Sequence, residues 1–253
     1  MLKYKDLLLE LVKRDIKSKY KQSILGYAWV LIVPLINLIV MTIVFSFFIR
    51  VPTGNIPYPI YLFAGLVPWL FTANAISSAT ASVVQNYSLV TKISLPRYIF
   101  PTASVLSKVI DFVLNFTIMF VLIAFFKVSL VWTLLLVPVV FVTQFVLVLG
   151  VGMILASINV YYRDVENVIG VLLTMWLYLT PVVYPPEIVP ASMAFVFNLN
   201  PMTPIINSYR NIILYGVLPP WQSFLYSFIF SVAIFVVGFF VFKKLSRNFA
   251  DII

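Results

Sequence analysis

The chain has 253 residues, of which 62% are apolar, 17% aromatic and only 10% charged. A soluble domain carries about 25% charged residues, so this composition leaves too little polar surface to enclose the long uncharged runs, which have to face lipid. There is no Cys and no His, which excludes disulfides, thiolate or imidazole metal sites and His-dependent triads, and the net charge of +9 is gathered at the two ends of the chain rather than in a nucleic-acid-binding patch.

Residues 1–24 form the first element, an amphipathic interface helix over residues 2–21. Leu8, Val12, Ile16 and Tyr20 recur every four residues with Leu11 beside them, and Lys13 and Lys17 form a second stripe with Lys21. Such a helix lies in the interface, with its apolar face in the acyl boundary and its lysines among anionic headgroups. The basic segment is long, holds Asp6, Glu10 and Asp15 and lacks a small-residue cleavage site, so it is not read as a signal peptide.

Residues 25–253 read as one six-span domain. Span 1 runs from Leu25 to Ile49 and ends at Arg50; Pro52 to Asn55 turns the chain. Span 2, Pro59 to Val84, becomes rich in small and polar residues after Thr72, which points that half toward protein. A polar, positively charged segment at 85–101 precedes span 3, Thr102 to Phe126, which Lys127 closes. Span 4, Leu130 to Ile158, has no charge over 29 residues. A short loop at Tyr161 to Glu166 leads into span 5, Val168 to Tyr184. Residues 185–222 hold seven of the 16 prolines yet keep apolar patches, too broken to span and too apolar for a solvated loop. They read as short external helices, interfacial or re-entrant. Span 6, Ser223 to Phe242, runs into the basic tail Lys243, Lys244 and Arg247. The fold class is therefore all-α integral membrane, with both basic termini on the cytoplasmic side and an even number of crossings.

The ionisable inventory within the spans is short. Lys108 and Asp111, three apart on span 3, read either as an ion-coupling site or as a local pair with Lys108 reaching the headgroups. The second is preferred, because a proton-driven carrier buries several such groups at the midplane. No GxxxxGK[ST] is present, so an ATP-powered process needs a separate nucleotide-binding subunit. The absence of His and of paired carboxylates in the loops speaks against a membrane enzyme. The five tryptophans and 14 tyrosines suit an interfacial aromatic belt. Alternatively they form rings along a path for a large, weakly charged, polyhydroxylated cargo.

Five short motifs occur in order. They are Arg14-Asp15-Ile16-Lys17 through Tyr20 with Leu25-Gly26, Trp29 and Pro34-Leu35; Leu95-Pro96-Arg97 with Pro101; Tyr161-Tyr162-Arg163-Asp164-Val165; Tyr178-Leu179-Thr180-Pro181 with Tyr184-Pro185; and Asn200-Pro201-Met202 followed by Tyr209-Arg210. In this register the chain resembles the permease subunit of ABC-2 type exporters, most closely the O-antigen, capsule and teichoic-acid branch that moves lipid-linked polysaccharides; the drug-exporting branch shares much of the plan.

That resemblance implies a non-catalytic half-transporter of the bacterial inner membrane. Two copies would pair, two cytoplasmic ATPase subunits would dock below and bring ATP and Mg, and the chain itself would hold no cofactor or metal. It also implies coupling elements at residues 86–97 and around Arg163 and Asp164, with Asn86, Lys92 and Arg97 on the first. Lys13, Arg14 and Lys17 belong to the interface helix. Tyr27, Trp29, Tyr61, Trp69, Trp176 and Tyr184 are the aromatic candidates for the pore. Arg210, one of few external charges, is expected to cap its helix rather than to meet a cargo phosphate.

Overall fold

The computed structural model describes residues 4–20, 25–92, 95–129 and 131–252; the side chains of Lys19, Tyr20, Lys92, Ala250 and Asp251 lie outside that description, as do the basic residues Lys3 and Lys21. The described residues fold into helices: α1 (Lys5–Tyr20), α2 (Trp29–Thr42, continued by a π-helical turn Ile43–Phe48), α3 (Tyr58–Gln85), α4 (Tyr87–Lys92), α5 (Ile99–Phe125), α6 (Val137–Tyr161), α7 (Val165–Tyr178), α8 (Ala194–Leu199), α9 (Met202–Arg210), α10 (Trp221–Leu245) and α11 (Phe249–Ile252).

Five stretches among the described residues are long and apolar enough to cross a membrane: Gly26–Phe48, Tyr58–Gln85, Ile99–Phe125, Trp132–Tyr161 and Trp221–Asn248. The helix at expected span 5 is shorter than the sequence predicts. α7 stops at Tyr178, not Tyr184, and its 14 residues rise only about 21 Å against a hydrocarbon core of about 30 Å. The cause is local: Pro181, Pro185 and Pro186 lack the N–H groups that would continue the helix. The non-glycine residues Arg50 and Lys127 adopt positive φ, 56° and 53°, just past the ends of their helices. Both terminate a span in the left-handed conformation while placing a cation by the free carbonyls there.

α3 is the centre of the bundle. Its most apolar stretch is 78% buried, against 17–39% for the other four. The small and polar face from Thr72 to Ser82 is enclosed as its composition predicts: Thr72, Ala75, Ile76, Ala79 and Thr80 are fully buried. α6 lies beside it and is tied in by Gln144, whose Nε2 donates to the Pro68 carbonyl and to Thr72 Oγ1, both at 2.7 Å. Gln144 Oε1 accepts from the Tyr209 hydroxyl at 2.9 Å, which brings α9 into the same contact. Tyr209→Phe removes that donor and is expected to cost about 1 kcal/mol, seen as a lower unfolding midpoint of the detergent-solubilised chain.

α10 packs on α6 at a glycine crossing. A Cβ on Gly150 would lie 2.6 Å from the Phe235 backbone, and one on Gly238 would fall on the Gly150 carbonyl. Small residues let two helices approach this closely where no hydrophobic force between them operates in lipid.

Both described termini sit at one end of the bundle. α1 packs on α5 through Leu7, Leu8, Leu11 and Val12, and Ser104 at the start of α5 donates to Asp15 Oδ2 at 3.4 Å. The end of α10 meets the end of α6, where the Tyr161 hydroxyl donates to the Leu245 carbonyl at 3.1 Å. This end carries Lys13, Arg14, Lys17, Arg97, Arg163, Lys243 and Arg247 and is called the basic end below.

Candidate functional site

At the basic end the two short connections, before α5 and between α6 and α7, are both fastened to the end of α10. Arg97, half-buried in the approach to α5, donates from Nη1 to the Ser246 carbonyl and stands 6.0 Å over the Phe249 ring. Tyr161 holds Leu245, and its ring packs edge-on to Phe249 at 6.2 Å. Beside these contacts a groove of about 480 Å³ is walled by Pro96, Tyr98, Phe239 and Phe242 and rimmed by Arg97, Lys243 and Arg247. Arg163 and Asp164 are exposed between α6 and α7. The Asp164 carbonyl accepts from the Asn167 and Val168 amides at 3.0 Å and so starts α7.

Asn86, expected on this coupling surface, is turned inward instead. It is 8% exposed and donates to the Ser82 carbonyl at 2.7 Å, because it closes the end of α3. Lys92 falls outside the described side chains. On α1, Lys13 donates to Glu10 at 2.8 Å and Arg14 to Asp15 at 2.9 Å. The first contact holds the Glu10 carboxyl below its usual range and the Lys13 ammonium above its own. Lys13, Arg14, Lys17 and Tyr27 line a groove of about 1020 Å³ between α1 and the start of α2.

The aromatic candidates divide. Tyr27 and Trp29 are 49% and 44% exposed at the mouth of the basic end. Tyr61 and Trp69 are not on a surface: at 2% and 4% exposure they belong to the core. Trp69 meets Trp176 edge-on at 5.8 Å, and Tyr61 lies under a guanidinium. Trp176 and Tyr184 are half-buried at the opposite end; the Tyr184 hydroxyl donates to the Tyr178 carbonyl.

That opposite end holds a re-entrant hairpin made by α8 and α9. Asn200 forms its tip and satisfies both ends of its carboxamide. Nδ2 donates to the Leu179 carbonyl at 3.0 Å and to Thr180 Oγ1 at 2.8 Å. Oδ1 accepts from Trp176 Nε1 at 2.9 Å and from the Met202 amide at 3.0 Å. Ser227 of α10 donates to the Pro201 carbonyl at 2.8 Å. The tip is thus pinned at depth, with Met202 Sδ beside Thr72 at 3.8 Å, and α9 climbs back to the surface.

Arg210, at the top of α9, does not cap its own helix. It is 2% exposed and bonds three backbone carbonyls of other elements: Nε donates to Tyr61, Nη1 to Pro181 and Nη2 to Val182. Its carbon centre stands 3.8 Å from the Tyr61 ring centroid. Gly65 makes the space, since a Cβ there would come within 2.8 Å of Arg210 Nη2 and 3.1 Å of the Val182 carbonyl oxygen. Arg210 also forms part of the floor of a cavity of about 670 Å³ open to this end, between the Pro52–Ile56 turn, Glu187 and Tyr215.

Sequence reasoning passed over Gln144, Gly65 and Ser227, and used Asn200 only within its Asn-Pro-Met motif. That motif was the available signal: a polar residue before a proline, deep in an apolar region, is costly in lipid unless something bonds it. Among the described residues no group of three or more acidic, His or Cys side chains is placed to hold a metal.

Known proteins are similar in sequence to this chain along almost their whole length. An O-antigen export system permease protein RfbA from Myxococcus xanthus is 30% identical, covering 99% of this chain and 96% of the relative. One from Klebsiella pneumoniae is 28% identical over 98% and 95%. The polysialic acid transport protein KpsM of Escherichia coli is 18% identical over 89% and 88%. The sequence profile of the ABC-2 type transporters matches residues 6–214, which takes in everything from the interface helix to the re-entrant hairpin; this multi-pass membrane chain belongs to that family.

Proposed function

We propose that the chain is the membrane-spanning half of an ATP-driven exporter that moves a lipid-linked polysaccharide across the bacterial inner membrane. Two copies pair, and two cytoplasmic ATPase subunits supply ATP and Mg. The observation that carries this reading is the near-complete coverage, at 28–30% identity, of proteins named as O-antigen export permeases. The absence of a phosphate-binding loop in this chain fits the same division of labour.

The geometry suggests how motion is passed on. The basic end faces the cytoplasm, as positive charge requires. Movement of the ATPases presses on residues 86–97 and on the Arg163–Asp164 turn. Both connections are bonded to the end of α10, through Arg97 to Ser246 and Tyr161 to Leu245, so they shift it together. α10 carries the shift to α6 at the Gly150–Gly238 crossing and to the hairpin through Ser227. Lys13, Lys17 and Arg97 attract the diphosphate of the lipid carrier at the inner leaflet, and exposed rings such as Tyr27 and Trp29 give weak, repeated contacts that let a polymer slide.

Cells lacking the chain should keep finished glycan on the inner face of the membrane; normal surface glycan in such cells rules the reading out. Arg97→Gln tests the coupling path. The variant should still co-purify with its ATPase but export about tenfold less glycan per ATP hydrolysed. An unchanged export-to-hydrolysis ratio would show that this contact carries no motion.

A further inference from the structure

Between the start of α2 and the middle parts of α3 and α5 lies a partly open cavity of about 260 Å³ whose walls include Trp29, Val30, Pro34, Asn74, Asp111 and Asn115. Asn74 lies eleven residues, about 16 Å, from the basic end of α3 and sixteen, about 24 Å, from the other. Asn115 lies sixteen residues, about 24 Å, from the basic end of α5. Both are within the span, where hydrocarbon offers no hydrogen bonds.

The two carboxamides here are under-used. Asn115 is 6% exposed; its Nδ2 donates to the Asp111 carbonyl at 2.7 Å, but its Oδ1 has no partner. Asn74 is exposed and has no hydrogen-bond partner among the described residues. Pro34 has no N–H to give the Val30 carbonyl one turn below. Lipid tails cannot answer any of these groups. By contrast, the exposed flank of α10 presents Ile229, Val232, Val236, Val237 and Phe240, as a lipid-facing helix should.

The occupant therefore has hydroxyls or water to offer. At about 30 Å³ per water the space holds about eight, too wide to close around a bare cation. It suits a six-membered sugar ring. Carboxamides and a carboxylate match hydroxyls, which both donate and accept, and the 44% exposed indole of Trp29 matches the apolar C–H face of the ring. We propose that this cavity is a subsite for one sugar ring of the glycan in transit, with Asn74, Asn115 and Asp111 meeting its hydroxyls and Trp29 its face. The proposal rests on the export reading above.

The chain has no cysteine, so Asn74→Cys gives a single thiol. A charged methanethiosulfonate reagent reacts with the thiolate, which forms only where water reaches. In vesicles carrying the whole transporter, Asn74→Cys should react at least about tenfold faster than Val237→Cys on α10. Modification should lower export by about tenfold relative to the same protein unmodified, with the ATPase still bound. The Asn74→Leu, Asn115→Leu double variant should show the same loss at normal membrane levels. Equal reactivity at 74 and 237 would mean a dry cavity and overturn the subsite. So would modification that leaves export unchanged, or a double variant that exports normally, since the cavity then holds only solvent. Transport that Asp111→Asn abolishes and that runs without the ATPase would replace the sugar by a coupled cation. Failure of the export reading is a separate result: normal surface glycan in cells lacking the chain.

Discussion

Arg210→Met is expected to lower the stability of the chain by about 3 kcal/mol, because it strands the carbonyls of Pro181 and Val182, each costing about 1 to 2 kcal/mol when left buried without a donor, and removes the additional bond to the Tyr61 carbonyl. In detergent this appears as an unfolding midpoint lower by roughly 6 to 12 °C for a chain of this length. Arg210→Lys should recover only part of the loss, since one ammonium cannot reproduce a planar fork reaching carbonyls on α3 and on the turn after α7. Gly65→Ala attacks the same contact from the other side, placing a methyl 2.8 Å from Arg210 Nη2. If both act through the guanidinium, the double variant loses far less than the sum of the two. Strict additivity would show that Gly65 and Arg210 stabilise the fold separately. Export should fall with either change, because the guanidinium ties the top of α9 to α3 and to the turn after α7 at the end opposite the basic one.

The path of the chain was legible in the sequence, but the fastening of the hairpin was not. Long uncharged runs announce spans through composition alone, so α2, α3, α5, α6 and α10 fall within a few residues of their expected places. The stripe of Leu8, Leu11 and Val12 marked the apolar side of α1, but that side packs on α5 rather than facing acyl chains. Span 5 is expected to be longer than it is because hydropathy does not register the missing N–H of Pro181, and Val182 to Tyr184 remain apolar beyond it. Arg210 was misread because its partners are backbone carbonyls 28, 29 and 149 residues away. A carbonyl belongs to every residue and leaves no mark in sequence. Tyr61 and Trp69 looked like pore residues for a related reason: an amphipathic ring suits an interface, a channel or a buried hydrogen-bonded core equally well. Only the tertiary neighbours, Arg210 and Trp176, distinguish these cases. Asn86 carried both a loop position and a helix-closing role, and the helix end took its side chain.

Gly238→Leu should do the most damage of any single change at the α6–α10 contact, and its effect should reach the loops of the basic end. Any Cβ at this position collides with the Gly150 carbonyl, with that carbonyl's carbon 3.1 Å and its Cα 3.2 Å away. The obstacle is backbone in the middle of a helix, so no rotamer change relieves it, and overpacking of this kind costs about 3 kcal/mol or more. Gly150→Leu meets the Phe235 backbone at 2.6 Å and should behave alike. Gly170→Ala on α7, where a Cβ meets nothing within 4 Å, should be close to silent and serves as the comparison. Loss of close packing moves α10 as a unit, and the end of α10 supplies the carbonyls of Leu245 and Ser246 that hold Tyr161 and Arg97. The milder Gly238→Ala should therefore leave the ATPase bound while export per ATP falls, as in Arg97→Gln. If Gly238→Ala lowers the unfolding midpoint but leaves that ratio intact, α10 serves only as packing, and motion must pass from the inner loops to α6 by the direct route along α3.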